Sequence, residues 1–184
     1  MGELTATAGA PLPAPLSGTG WRIASINRSD DQWVYISREL NSVDGVTPST
    51  RYDVTIQARI ATTLPTGCAG VGGSPDGIYL KGGVVSRAPM AVRESAARTS
   101  FNLMKGAQAN VGSDAVLLGS GTVVGTGTNC GADNPGETIT RMGRMRATSD
   151  ATGRLWVYVG TDSAFEGGFT IWYRDVEVTL TPAM

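Results

Sequence analysis

The chain of 184 residues contains no histidine. Histidine is the commonest general base, the usual partner of a serine or cysteine nucleophile, and the commonest metal ligand. Its absence excludes most familiar hydrolase mechanisms. A histidine-free hydrolase or lyase would need two acids or a Tyr and Arg group in one cleft, and the spacing of the sixteen acids favours no particular pair.

Long apolar runs and a strong net charge are also missing. No apolar stretch approaches the roughly 20 residues that a membrane helix requires, so we expect no membrane insertion. The formal net charge is -1, which gives no long-range attraction to nucleic acid. Of the fifteen basic residues only Lys81 and Lys105 are lysines, and the others are arginines suited to bidentate carboxylate pairing.

Only two cysteines are present, Cys68 and Cys130, both in Gly-rich sequence. Without further ligands, the pair favours a disulfide over a zinc or redox site, and two unpaired buried thiols are the alternative. A disulfide would place the protein outside the cytoplasm, secreted, periplasmic or at the cell surface. Residues 1–15 lack the basic start and apolar run of a signal peptide. We therefore expect a flexible Ala/Pro-rich tail over 1–20 and one domain over 21–184.

Residues 52–61 show the clearest pattern of the chain. Apolar residues alternate with polar ones, the apolar set being Tyr52, Val54, Ile56, Ala58 and Ile60. This period of two predicts a strand with one buried and one solvated face. Followed by a Gly-rich loop, it indicates an all-β, antiparallel β-sandwich rather than a helical or doubly wound fold.

The same criteria predict further strands along the chain. No segment shows a convincing helical period, and about nine strands result, enough for two sheets. The predicted segments are 21–26, 33–40, 52–61, 78–81, 98–104, 115–118 reversing through Gly119-Ser120-Gly121 into 122–124, 137–147, 155–159 and 169–180.

The last predicted strand changes its apolar parity. Phe169, Ile171 and Tyr173 are odd-numbered, whereas Val176, Val178 and Leu180 are even-numbered. Because alternate residues face opposite sides of a sheet, both sets reach the core only if one extra residue is inserted. The pattern therefore predicts a β-bulge near Arg174 or Asp175.

Two motifs resemble a known family. The run from Val46 to Val54, VTPSTRYDV, is similar to the turn "Pro, small residue, Thr, any, Tyr" that opens a long strand in jelly-roll carbohydrate-binding modules with a galactose-binding-like fold. The run from Trp172 to Val178, WYRDVEV, resembles their aromatic-x-Asp-Asp-Val ending. Segments 70–81 and 155–167 also resemble uncharacterised secreted bacterial β-sandwich proteins. The resemblance implies a jelly-roll sandwich that binds carbohydrate.

The resemblance also implies a metal site. In such modules the second acid of the closing motif often helps to hold a structural calcium ion, and Asp175 is the matching residue. Arg174 stands where the first acid would be. This departure favours an arginine or backbone-amide partner for Asp175 over calcium, and no other cofactor is expected.

Aromatic rings are the candidate ligand platforms. Sugar CH groups stack on rings while hydroxyls need nearby polar groups, and Trp33 with Tyr35 and Trp156 with Tyr158 each share a strand face. These four residues are the predicted binding residues, with core filling as the alternative. Trp21 and Trp172 are expected to be packed. The loop 161–166 is expected to be a turn in which Asp162 caps backbone amides.

Three functions remain open from the sequence. The first is a non-catalytic exported module that binds carbohydrate. The second is a structural or adhesive subunit that forms homo-oligomers through apolar aromatic surface. The third is a histidine-free glycan hydrolase or lyase.

Overall fold

The computed structural model describes residues 3–28, 31–67, 69, 72–96, 99–123 and 134–183. Within these ranges the chain forms eleven strands and two short 3-10 turns, and α-helix is absent. None of the described residues belongs to a helix long and apolar enough to cross a membrane.

The strands are short at the middle of the chain and long at its end. In order they are β1 Leu4–Pro11, β2 Thr19–Ile26, β3 Gln32–Leu40, β4 Arg51–Thr62, β5 Ile78–Val85, β6 Ala91–Arg93, β7 Thr99–Phe101, β8 Val116–Ser120, β9 Glu137–Thr148, β10 Leu155–Ser163 and β11 Gly168–Pro182.

Two antiparallel sheets form the body of the molecule. One has five strands in the order β1-β2-β11-β4-β9, and the other has four in the order β3-β10-β5-β8. Strands β6 and β7 form a separate two-stranded sheet. The main sheets pack face to face around one core, which confirms the predicted antiparallel β-sandwich of the jelly-roll type.

Strand β4 supplies the centre of the core. The five alternating apolar residues predicted for its inner face are all at most 2% exposed, namely Tyr52, Val54, Ile56, Ala58 and Ile60. They meet residues of the opposite sheet such as Leu80, Leu155 and Val159. Each fully buried side chain of the Val, Leu or Ile type contributes about 1.5–3 kcal/mol of hydrophobic free energy.

The predicted bulge in β11 is confirmed. Tyr173 pairs with Ile60 and Asp175 pairs with the next residue along, Arg59, so Arg174 is the inserted residue. Before it Phe169 and Ile171 face the core, and after it the even-numbered residues Val178 and Leu180 pack against the same core. The extra residue thus keeps both halves of the strand on the same side of the sheet.

The predicted tail over 1–20 is wrong for residues 4–11. These residues form β1, which pairs antiparallel with β2 from Leu4 to Pro11. Seven of the eight side chains of β1 are exposed. Backbone hydrogen bonds, rather than burial of side chains, therefore hold this edge strand. Its apolar residues alternate with polar ones, but after Leu4 they are all alanine, which is a weak signal for a strand.

The middle of the chain also departs from expectation. Of the strand predicted over 98–104, residue 98 lies outside the described residues, and the remainder forms a strand only as β7. Strand β6 was missed. Gly119 and Ser120 lie inside β8 instead of in a reversing turn. Of the return strand predicted over 122–124, Val123 forms an isolated bridge to Pro65, and residue 124 lies outside the described residues. A register shift accompanies Gly119, whose φ of 143° is available to glycine, so this glycine marks a strand irregularity rather than a hairpin.

Residues 86–96 and 99–115, together called the covering segment below, lie between β5 and β8 in the chain. They place Phe101 and Leu103 against the outer face of the four-stranded sheet, where both contact a second buried cluster around Tyr158. The Tyr158 hydroxyl donates a 2.6 Å hydrogen bond to the carbonyl oxygen of Asp114. The four-stranded sheet is therefore packed on both faces.

Deleting Arg174 should leave the fold close to wild type in stability. Tyr173 pairs with Ile60 and Asp175 with the adjacent Arg59, so removing the residue between them keeps both halves of β11 in register and turns the bulge into a regular strand. We expect the free energy of unfolding, measured by urea denaturation, to stay within about 1 kcal/mol of wild type. Arg174→Ala keeps the bulge and should also stay within about 1 kcal/mol. A deletion variant that loses several kcal/mol would contradict the assignment of Arg174 as the inserted residue.

Neighbouring glycines on β5 provide a matched test of the covering segment. A Cβ added at Gly83 would lie 2.5 Å from Tyr158 Cε1 and would also clash with the carbonyl oxygen of Asp114. Gly83→Ala should therefore lower the free energy of unfolding by about 2 kcal/mol. Gly82 faces the other side, where the Cβ would lie 3.3 Å from a methyl group of Ile56. Gly82→Ala should cost less than about 1 kcal/mol, and equal losses would argue against close packing over Gly83.

Candidate functional site

The four predicted ring residues lie on one face of one sheet. Strands β3 and β10 are neighbours, and in their register Tyr158 pairs with Ser37 and Trp156 with Glu39. Paired residues of antiparallel strands share a face. Trp33, Tyr35, Trp156 and Tyr158 therefore all point to the outer face of the four-stranded sheet, away from the main core.

The rings form an aromatic cluster together with Phe101 of β7. Trp33 stacks on Tyr35 with ring centroids 5.9 Å apart, and Phe101 lies 4.9 Å from Tyr35 and 5.5 Å from Tyr158. Tyr158 is fully buried, and this burial raises the pKa of its phenol above its usual value. Core filling, one of the two alternatives for these rings, thus describes Tyr158.

The other three rings are half-buried, and two of them border polar side chains. Trp156 lies beside Glu39 on the same face, and Ser37 and Tyr35 follow on β3. Since β3 is the edge of its sheet, one flank of this group is open. We call Tyr35, Ser37, Glu39 and Trp156 the Trp156 patch. It combines ring faces, a carboxylate and a hydroxyl on one surface.

A buried charge cluster lies at the other end of the same face. Lys81 and Asp162 are fully buried, and Lys81 Nζ donates a 2.7 Å hydrogen bond to Asp162 Oδ2. Lys105 Nζ donates to the same oxygen at 2.8 Å and lies 5.4 Å from the centre of the Trp33 ring. Both lysines of the chain therefore bind one carboxylate.

Burial has the largest effect on the pKa of Lys81 in this cluster. It lowers the pKa of the Lys81 ammonium below its usual value, and the hydrogen bond and charge of Asp162 oppose the shift. The Asp162 Oδ1 atom is buried without a hydrogen-bond partner in the described part of the chain.

The sequence did not reveal this cluster. Asp162 was expected to cap a turn, but β10 continues to Ser163 and carries Asp162 within the sheet. The run Gly160-Thr161-Asp162-Ser163 has the composition of a loop, and only its pairing with β3 and β5 makes it a strand. The one hint of this cluster in the sequence was that lysine is rare, with Lys81 and Lys105 the two lysines of the chain.

A cleft of ≈ 580 Å³ opens between the edges of the two sheets. Its walls are mainly apolar and include Ile36, Val157 and Val178. The ion pair between Arg38 and Asp44, with an N–O distance of 2.6 Å, lies at its border. The lining also contains the hydroxyl-bearing residues Ser37, Thr47 and Tyr52, so polar groups accompany the apolar walls.

The remaining tryptophans differ from each other. Trp172 is 9% exposed and packs with Ala10, Leu12 and Ala61 on the outer face of the five-stranded sheet. Trp21 was also expected to be packed, but it is 46% exposed. Trp21 pairs with Tyr173, the last residue of β11 before the bulge. The pairing between β2 and β11 ends at this position.

Asp175 has an arginine partner. Arg59 Nε donates a 2.8 Å hydrogen bond to Asp175 Oδ2, and Arg59 Nη2 approaches the same oxygen. Among the described residues, no three His, Cys, Asp or Glu side chains are placed to hold a metal ion. A guanidinium at this carboxylate does not fit a calcium site, so the calcium ion stays a prediction of the resemblance and no function is derived from it.

The predicted disulfide lies outside the described residues, since Cys68 and Cys130 are both outside them. It stays a prediction.

No family model matches the chain, and no curated protein matches it in sequence. Among solved structures it is similar to a chain from a study of promiscuous specificity in carbohydrate-binding modules of the β-sandwich superfamily, at 14% identity and a TM-score of 0.40, covering 97% of this chain and 53% of that one. It is also similar to TmCBM61 in complex with β-1,4-galactotriose, at 10% identity and a TM-score of 0.38, covering 98% and 88%.

A third similar structure is the enzymatically active domain of tailspike protein 4 of bacteriophage CBA120, at 11% identity and a TM-score of 0.38, covering 98% of this chain and 18% of that one. This chain thus spans about half of the first structure and a small part of the third. The first two concern carbohydrate-binding modules, the class that the sequence motifs resemble. At these TM-scores the similarities carry no argument about the ligand of this chain.

Proposed function

We propose that this β-sandwich is a non-catalytic, exported module that binds carbohydrate on the Trp156 patch. The observation that carries the proposal is the position of Trp156, a half-buried ring of β10 that lies on the outer face of the sheet beside Glu39 of the edge strand β3. The motifs 46–54 and 172–178, which resemble carbohydrate-binding modules, support the class of ligand. Export rests on the even pair of cysteines.

The chemistry of the patch suits a sugar. A ring face offers an apolar surface to the CH groups of a pyranose. The Glu39 carboxylate can accept hydrogen bonds from the sugar hydroxyls, and the Ser37 hydroxyl can accept or donate them. Strands in a sheet are spaced by about 4.8 Å, so Glu39 lies close enough to Trp156 for one sugar ring to contact both. Tyr35 lies further along β3 and would contact a neighbouring sugar unit.

Rigidity of the patch supports binding. Tyr35 is fixed by Trp33 and Phe101, and Trp156 packs against the buried cluster of Val85, Leu103 and Tyr158. A ring that is already ordered loses little conformational entropy when a ligand binds. The covering segment therefore serves the patch by holding its rings in place.

Trp156→Ala should reduce glycan affinity. Removing the ring face costs about 1–2 kcal/mol of binding free energy, which corresponds to about a tenfold rise in Kd. A glycan array would first identify a ligand for the wild-type protein, and isothermal titration would then compare the variants. Glu39→Gln should weaken binding as well, because the amide accepts fewer hydrogen bonds than the carboxylate.

The matched control is Trp21→Ala. Trp21 is the more exposed tryptophan on the other sheet, and its removal should leave the affinity unchanged. Circular dichroism melting would confirm that both variants are folded. Absence of binding to any glycan, or equal losses for the two tryptophan variants, would contradict the proposal.

Self-association as a structural subunit is a second candidate. Within the described residues, β2 pairs with β11 only as far as Tyr173, which leaves the edge of β11 from Asp175 onward open beside the partly exposed Val176. Open strand edges favour pairing with another chain. Light scattering at increasing protein concentration should then give a dimer, and Val176→Lys should restore the monomer. A wild-type monomer at all concentrations would contradict this candidate.

A further inference from the structure

The buried charge cluster contains three charged side chains that are almost completely shielded from solvent. Lys81 and Asp162 have no exposed side-chain surface, and the Lys105 side chain is 11% exposed. An ion pair taken out of water loses hydration that its mutual attraction rarely restores in full. Here one carboxylate oxygen accepts every hydrogen bond while the other, Oδ1, has no partner among the described residues.

The sheet fixes the positions of Lys81 and Asp162 relative to each other. Strands β5 and β10 are the inner strands of the four-stranded sheet, and Lys81 pairs with Gly160, two residues before Asp162. The two side chains are therefore diagonal neighbours on one face. The carbonyl oxygens of Lys105 and Asn110 accept hydrogen bonds from Lys81 Nζ at 3.2 Å and 2.8 Å and hold the amine against the carboxyl group.

We propose that Lys81 and Asp162 are joined by an intramolecular isopeptide bond. Lys81 Nζ attacks Asp162 Cγ, so that an N–C bond forms and the bond from Cγ to Oδ1 breaks. Starting from ammonium and carboxylate, two protons of the ammonium leave with Oδ1 as water and the third stays on the amide nitrogen. The step needs no oxidant and no co-reactant.

The surroundings favour this condensation over the ion pair. In water an amine and an acid prefer to stay ionised, but in a dry site the two charged groups lose far more solvation free energy than the neutral amide does. Burial lowers the pKa of Lys81, which favours the neutral amine that acts as nucleophile. Proximity on a rigid sheet removes most of the entropic cost of bringing the groups together.

Two donors stabilise the charge that develops during attack. Lys105 Nζ and the backbone N–H of Gln108 donate to Oδ2 at 2.8 Å and 2.9 Å. Oδ2 becomes the oxyanion of the tetrahedral adduct, so these donors are placed as an oxyanion hole. Oδ1, which has no such partner, is the oxygen that leaves. Lys105 thus has a role that explains why a second cation lies beside a single carboxylate.

Peptide mapping of the purified protein tests the bond directly. Trypsin cleaves after lysine and arginine but not after an acylated lysine, so the bond predicts a peptide 60–87 that is uncut at Lys81 and joined to peptide 155–174. The joined species should be lighter by one water molecule than the sum of its two parts. The digest is made after unfolding and reduction, so that neither the fold nor a disulfide holds the peptides together.

The wild-type digest decides the question alone. Recovery of 155–174 as a free, unmodified peptide, with cleavage after Lys81, would overturn the proposal and leave a plain ion pair. A link through Lys105 instead of Lys81 would also overturn it. The result is independent of glycan binding, since mass spectrometry requires no ligand.

Variants test the roles of the neighbours. Asp162→Ala and Lys81→Met should both yield only unlinked peptides. Lys105→Met keeps the two reacting residues but removes the cation from Oδ2, so the linked fraction should fall at least tenfold at early times after refolding. An unchanged linked fraction in Lys105→Met would contradict the role of Lys105 as an oxyanion donor.

Discussion

Burial of the inner face of β4 between the two sheets is the interaction on which the rest of the structure depends. Its five alternating apolar side chains are almost completely excluded from water and contact strands from both layers. Its neighbours β9 and β11 pair with it along its length, and the bulge at Arg174 keeps both halves of β11 facing the same core. The outer faces are available for other uses because this single core carries the fold.

The four-stranded sheet uses its outer face to build a second layer. Two glycines make this layer possible, since Gly83 lies beneath the Tyr158 ring and Gly160 lies beneath Trp33, whose ring would be 2.8 Å from an added Cβ. Side chains at either position would push the rings away from the sheet. With glycine there, the aromatic cluster, the charge cluster and the covering segment pack as one unit beside the Trp156 patch.

The sequence predicted the parts of the fold in which side-chain burial and strand pairing agree. Residues 52–61, 137–147 and 169–180 appear in the structure with boundaries within a few residues, and the parity change in β11 located its bulge. Strand β1 was not predicted because most of its side chains are exposed. The end of β10 was not predicted because the residues from Gly160 to Ser163 are glycine and polar residues, although they are buried in the sheet. In both cases long-range pairing determines the strand.

The candidate site was predictable in part. The shared faces of Trp33 with Tyr35 and of Trp156 with Tyr158 follow from the period of two, but the adjacency of β3 and β10 brings the pairs together and no local pattern encodes it. The covering segment, which decides that Tyr158 is core and Trp156 is at the surface, is equally a matter of tertiary contact. The exposure of Trp21 follows from its place at the end of the pairing between β2 and β11.

The placement of both lysines inside the protein has a consequence for its surface chemistry. With Lys81 inaccessible and Lys105 nearly so, the positive charge that meets solvent is carried by guanidinium groups. Guanidinium stays protonated at any physiological pH and does not react with acylating reagents as an amine does. Amine-directed labelling or coupling to a solid support would therefore find almost no lysine on the folded protein to react with.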